Sequence, residues 1–202
     1  LSMMMGLRRF PSGIIHTCGR PVHRTRPERL AGSAGFLFQH PDHQLYLARV
    51  KDEVFMQAAD SAAAVRELAE LDLEGLTERH PRSLSMGQKR RLTIASALSR
   101  QPRLLLLDEP SVGQDDRNLA RIIHRLSRFV QEGGALLTAT HDLRFARAMA
   151  HRVLILKNGH LREEGTEAVS RFFNDDGCSP SASLFPDSPE RAFQGQEGRP
   201  PV

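Results

Sequence analysis

Two adjacent carboxylates end a run of leucines in Leu104-Leu105-Leu106-Leu107-Asp108-Glu109-Pro110. Four consecutive leucines read as a strand buried on both faces, and the proline stops it. Ligands of open α/β sheets bind beyond the carboxyl ends of the strands. A carboxylate there can hold a divalent cation among phosphate oxygens, and a second beside it can polarise an attacking water. The pattern taken alone also fits a core strand with a charged cap.

A second segment, Leu84-Ser85-Met86-Gly87-Gln88-Lys89-Arg90-Arg91, puts a serine and a bare glycine backbone at the start of a helix. Such a start offers amide N–H groups and a positive dipole end to a phosphate. The competing reading is a surface helix with Ser85 as its N-cap. Downstream stand Asp115 and then Thr140-His141-Asp142, the last group just past an apolar run at Ala135 to Ala139. That position favours a function for His141 over an ordinary surface histidine. Upstream lies Phe38-Gln39-His40-Pro41-Asp42-His43-Gln44-Leu45.

The elements that must position these residues alternate in type. Short apolar runs bounded by turn residues predict strands at Gly13–Thr17, Gly35–Phe38, Arg103–Leu107, Ala135–Ala139, Val153–Lys157 and His160–Glu163. Helical spacing predicts helices over Ser61–Leu73 and Gly87–Arg100, the latter with Leu92, Ala95 and Leu98 on one face. Another runs through Leu119, Ile122, Ile123 and Leu126 and is closed by Gly133-Gly134. This order predicts an α/β fold with a mostly parallel sheet and a small helical lobe at about 50–100. Residues 1–173 form the expected domain. From Asn174 to Val202 the composition turns to Pro, Gly, Ser and Asp and predicts a disordered tail.

Hydrophobic residues make up 40% of the 202, enough for a core, and no apolar run reaches the length of a membrane-spanning helix. Cys18 and Cys178 have no metal-ligand spacing and are expected to be reduced thiols without a role. Lys and Arg number 28 against 24 Asp and Glu. The excess shows around Arg20, Arg24, Arg26 and Arg29, where no aromatic residues are interleaved to stack on bases, so a solvated loop is the expectation rather than a nucleic-acid surface.

In order and spacing, these segments resemble the motifs of ATP-binding-cassette (ABC) ATPases. Leu84–Gln88 is similar to the signature LSGGQ, Leu104–Pro110 to the Walker B motif, Asp115 to the D-loop aspartate and His141 to the switch histidine. Gln39 falls at the Q-loop glutamine. The string Gln39 to Leu45 resembles the energy-coupling-factor type, which powers uptake of vitamins and of metal ions such as cobalt and nickel. The resemblance implies a cytoplasmic-face, peripheral subunit that binds and hydrolyses ATP with Mg²⁺. It implies that Asp108 assists Mg²⁺ binding, Glu109 is the catalytic base and His141 contacts the γ-phosphate. Gln39 would join Mg²⁺ and water to a transmembrane coupling subunit. Ser85, Gly87 and Gln88 would face ATP held by a second cassette, separate or fused, in a head-to-tail dimer. A further membrane subunit would select the substrate, and no nucleic acid is expected.

The pattern is incomplete. No Gly-x-x-x-x-Gly-Lys-Ser/Thr phosphate-binding loop occurs, and the three lysines are Lys51, Lys89 and Lys157. Gly6 to Val22 resembles the stretch just after that loop in the family, so the chain is expected to start past Walker A, without the N-terminal strands. Met86 replaces the first signature glycine, and Gln114 the usual leucine before the D-loop aspartate. Two other functions fit the same motifs: a non-catalytic half that lends its signature to a partner, and a soluble ABC ATPase acting on nucleic acid.

Overall fold

In a computed structural model that describes residues 1–165, the chain opens on a 3-10 turn, Ser2–Met5, closed by Gly6 in the left-handed region. The expected tail, 174–202, the end of the expected domain at 173 and Cys178 lie outside the described residues. Strands β1 (His16–Thr17) and β2 (Arg20–Pro21) form an antiparallel hairpin. The strand expected at Gly13–Thr17 therefore keeps only its last two residues. Gly13 departs from extended backbone at φ +92°, and Cys18 and Gly19, both at positive φ, make the two-residue turn that fits the twist of a hairpin.

Helix α1 (Pro27–Ala31) starts on a proline, whose missing N–H costs nothing at that position, and leads into β3 (Ala34–Leu37). Three helices follow: α2 (Val50–Phe55), α3 (Ser61–Glu70) and α4 (Met86–Ser99). They pack on one another, and α4 also packs on β3. Asp60 caps α3 by accepting from Ala63 N–H at 2.7 Å. The helix ends at Glu70 rather than at Leu73, with Asp72 at φ +58° turning the chain. Helix α4 is buried not on one face but all round from Arg90 to Ser99. Small residues allow this close approach, and Ser96 and Ser99 donate to the carbonyls of Glu53 and Val54 at 2.9 and 3.2 Å.

Strand β4 (Leu104–Asp108) is central in a three-stranded parallel sheet of order β3-β4-β5, which explains its unbroken leucines. Leu37 pairs with Leu107, and Asp108 with Ala139 of β5 (Ala135–Ala139). The crossover between β4 and β5 is α5 (Asp116–Gln131). Its end is closed as the two glycines predict: Gly134 N–H reaches Phe129 O at 3.0 Å, and Gly133 sits at φ +93°. Arg125 of α5 makes a bidentate ion pair with Glu67 of α3, both buried. Helix α6 (Leu143–Met149) comes after β5.

The chain divides into two compact units, Leu1–Phe145 and a second from Ala146 onward. In the second, β6 (Val153–Lys157) and β7 (His160–Glu164) pair with each other, antiparallel, through a turn with Asn158 and Gly159 at positive φ.

Candidate functional site

The parallel sheet brings the carboxylate pair and the His141 segment to one end. Asp108 is the last residue of β4, and Glu109 follows at φ +50°, where a non-glycine residue is rarely held. The Glu109 N–H donates to Ala139 O at 2.9 Å, extending the β4–β5 ladder one residue beyond the strand. Its carboxylate meets the segment after β5 three times. Thr140 Oγ1 donates to Oε2 at 3.1 Å, His141 N–H to Oε2 at 3.4 Å, and His141 Nδ1 lies 2.7 Å from Oε1. With Nδ1 protonated, that last contact is a hydrogen bond to the carboxylate. Glu109 is largely buried and His141 largely exposed, so the pair spans from the sheet end to solvent.

The backbone after His141 is tied down in turn. Asp142 N–H donates to Thr140 Oγ1 at 3.0 Å, and Arg144 grips the Asp142 carboxylate through Nε and Nη2. Burial works against the Asp142 charge, but hydrogen bonds from Arg144 and Ser111 outweigh it and hold this carboxyl below the usual aspartate range. Arg144 Nη1 also bonds Asp116 at the start of α5. Thr140 and Arg144 were not candidates from the sequence. A threonine beside the histidine could have been noticed as a hydroxyl at a strand end; an arginine two residues beyond Asp142 carries no such signal.

Asp115 is the N-cap of α5, accepting from Asn118 N–H at 2.8 Å and Asn118 Nδ2 at 2.9 Å, and the backbone bond from Asn118 holds its carboxyl below the usual range. Ser85 and Gln88 engage each other: Gln88 N–H donates to Ser85 Oγ at 3.3 Å and Ser85 N–H to Gln88 Oε1 at 2.9 Å. This reciprocal cap starts α4, so the capped-helix reading describes the ground arrangement of both side chains. The first amides of the helix, on Met86 and Gly87, have no intrahelical acceptor.

The two departures from the family pattern meet here. Gln114 Nε2 donates to Gly87 O at 3.0 Å, and a Cβ on Gly113 would lie 3.4 Å from Met86 Cγ. A Cβ on Gly87 would come within 2.5 Å of Gly113 O, a backbone atom that cannot swing aside. Glycine at 87 thus has a packing reason independent of any ligand. Gly87→Ala is expected to push the Gly113–Asp115 segment off α4 and to destabilise by about 1–3 kcal/mol as overpacking does. A urea unfolding curve of Gly87→Ala checks it; a midpoint equal to wild type would contradict the contact.

Gln39 is exposed just past β3. Its segment is held by Gln44, whose Oε1 accepts from Phe38 N–H at 2.9 Å and whose Nε2 donates to Phe36 O at 2.7 Å. The side-chain amide therefore acts as a short strand against β3. Buried Glu53 accepts from the N–H groups of Tyr46 and Leu47 and anchors the far end of the same loop.

As for Mg²⁺ with a nucleotide, Asp108 carboxylate and Gln39 amide offer hard oxygens that no hydrogen bond or ion pair engages among the described residues. One or two carboxylates plus substrate phosphates are what Mg²⁺ takes, so these donors fit it. The glycine-rich loop and lysine that grip phosphates are not found in the 202 residues.

Known proteins resemble this chain over most of its length. Residues 1–112 match the family model described as ABC transporter. YkoD of Bacillus subtilis, named as an HMP/thiamine import ATP-binding protein, is 35% identical over 188 residues, covering 91% of this chain and 34% of that protein. An ABC transporter ATP-binding protein of Pyrococcus abyssi, PYRAB01300, is 30% identical over 184 residues, covering 87% of this chain and 70% of that one. The chain spans about a third of the length of the first relatives it matches. Among solved structures, the ATP-binding cassette MJ0796, a dimer in a post-hydrolysis state bound to ADP and Pi, superposes with TM-score 0.72 at 24% identity, covering 82% of this chain and 78% of that one. That likeness is one of fold. CbiO1 from Clostridium perfringens, part of the ABC transporter complex cbiONQ, gives TM-score 0.67 at 27% identity, covering 87% and 73%.

Proposed function

Because the chain belongs to the ABC transporter family, we propose that it is the ATP-hydrolysing part of an importer of the energy-coupling-factor type, energising uptake of a vitamin or metal ion. The observation that carries the hydrolytic reading is Glu109. Its backbone is held at positive φ at the end of the central strand, and its carboxylate is oriented by Thr140 and His141. A carboxylate so placed can take the proton of a water attacking a γ-phosphate. His141 and Thr140 fix its direction, and the exposed His141 ring can reach a phosphate oxygen at the same face. Asp108 and Gln39 would hold Mg²⁺, which when bound neutralises charge on the phosphate oxygens.

The importer type is supported by the string Gln39 to Leu45 and by the names of two similar proteins, an HMP/thiamine import ATP-binding protein and a member of a cbiONQ complex. In this reading a second cassette, separate or fused, completes each nucleotide site, with Ser85, Gly87, Gln88 and Asp115 facing the partner's ATP. A transmembrane coupling subunit docks near Gln39, and a substrate-binding membrane subunit selects the cargo. The chain then works peripherally at the cytoplasmic face of the membrane; no helix among the described residues is long and apolar enough to cross it.

A second reading rests on the capped start of α4, where Ser85 and Gln88 hold each other and the first amides, on Met86 and Gly87, are left for an anion. The chain would then only lend Ser85 and Gly87 to ATP held by a complete partner. Residues 1–202 alone contain no Gly-x-x-x-x-Gly-Lys-Ser/Thr loop, the source of most phosphate contacts, and are expected to bind ATP more weakly than micromolar. Calorimetric titration with Mg-ATP checks this, and a micromolar Kd would overturn it. The two readings separate by phosphate release from the full-length protein with its partner cassette: loss of turnover in Glu109→Gln supports the catalytic reading. Unchanged turnover in Glu109→Gln, with loss in Ser85→Ala, supports the lending one.

A further inference from the structure

Arg90 sits in the second turn of α4 and is 1% exposed, yet no carboxylate lies within ion-pair distance of it among the described residues. Its guanidinium bonds carbonyl oxygens instead. Nη1 donates to Phe38 O at 2.7 Å and reaches Asp108 O at 3.5 Å, while Nη2 donates to Gln39 O. Its Nε has no partner in the described residues. Burial pulls its pKa down, and the charges of Asp108 and Glu109 push the other way.

This is an expensive way to fill a core position. Desolvating a guanidinium without a carboxylate partner is unfavourable, and a methionine of similar length would pack there without that cost. Arg125 offers the contrast in the same unit, since it is nearly as deeply buried but is matched by Glu67. What the Arg90 fork does, and a methionine could not, is tie three carbonyls to one planar group. Two of those carbonyls, on Phe38 and Gln39, lie just past β3, and the third, on Asp108, ends β4 just before Glu109. The helix that supplies the arginine is capped by Ser85 and has Gly87 in its first turn. These three segments are thus joined through one side chain.

We propose that Arg90 is a positioning residue for hydrolysis, holding Gln39 and Asp108 at a set spacing from each other and from the start of α4. A displacement of the Gln39 segment is then passed through the fork to the carboxylate pair and to Ser85 and Gly87. The proposal rests on the ATPase reading above. Arg90 is 1% exposed and its guanidinium is engaged by backbone carbonyls, so its removal should alter the alignment of reacting groups rather than ATP affinity.

The test uses the full-length protein with its partner cassette, and compares Arg90→Lys and Arg90→Met by steady-state Mg-ATP hydrolysis normalised to titrated ATP-binding sites. Lysine keeps the charge but can serve only part of the fork; methionine keeps the bulk. Both are expected to lower kcat by about 10- to 100-fold, the scale of a misplacement of about 1 Å, with KM for ATP within about threefold of wild type. Arg90→Lys is expected to retain more turnover than Arg90→Met. Wild-type kcat in a folded variant, or a loss confined to KM, overturns the proposal. Failure of both variants to fold assigns Arg90 to stability and overturns it as well. An inactive wild-type assembly refutes the ATPase reading itself.

Discussion

Glu67→Ala is expected to destabilise the fold by about 3–5 kcal/mol, the scale found when one partner of a buried ion pair is removed. Glu67 is fully buried and Arg125 is 3% exposed, joined by bonds of 2.8 and 2.7 Å. Burial opposes the arginine's charge, but the Glu67 carboxylate outweighs it and raises the Arg125 pKa. Alanine at 67 would leave that cation inside the protein with only Glu70, at 3.3 Å, and the more distant Glu132. The pair also bolts α3, and with it the helical lobe, to the crossover helix α5. Thermal unfolding should show a fall in midpoint on the order of 10 °C for a unit of this size. The double variant Glu67→Leu/Arg125→Met should recover most of it, since apolar replacement of both partners removes the desolvation cost together with the attraction. A single variant as stable as wild type would contradict the burial of the pair.

Glu109→Gln is the second large effect, a loss of at least ~100-fold in turnover with ATP affinity retained, as expected for removal of a general base. Glutamine preserves the shape and can still accept from Thr140 and His141 N–H, so the local hydrogen bonds of the segment are kept. What is lost is the negative charge that takes the proton of water. His141→Ala should cost less, because Thr140 and the His141 backbone N–H continue to orient the carboxylate. Steady-state phosphate release by the full-length protein with its partner cassette ranks the two variants. Equal losses would mean that the contact of the His141 ring with phosphate matters as much as the Glu109 charge.

The features legible in the sequence are those written as local patterns. Leu104–Leu107 gives a buried strand its length and its place in the middle of a sheet, and Gly133-Gly134 gives α5 its end. The acid pair and the histidine stand out because a strand end is where such groups can meet a ligand. Partners that depend on the third dimension do not stand out. Arg90, Arg91 and Arg125 read as solvated charge in their local context, yet each is buried. Their partners lie 18 to 58 residues away in the chain. The role of Gln44 is hidden for a similar reason, since a side-chain amide paired with β3 looks like any loop glutamine. The β1–β2 hairpin escapes notice because its turn is Cys18-Gly19, and a cysteine at positive φ is not a usual turn residue. The antiparallel pairing of β6 with β7 follows from Asn158-Gly159, a strong hairpin pair whose significance lies in the turn rather than in the strands' apolar runs.

The most direct test of Glu109 as the base of an ATPase is the identity of the nucleotide retained by the full-length protein with its partner cassette after incubation with γ-labelled Mg-ATP. The wild-type assembly should release labelled phosphate and retain ADP, while Glu109→Gln retains intact ATP. Release of phosphate by Glu109→Gln at the wild-type rate, or none from the wild type, would contradict it.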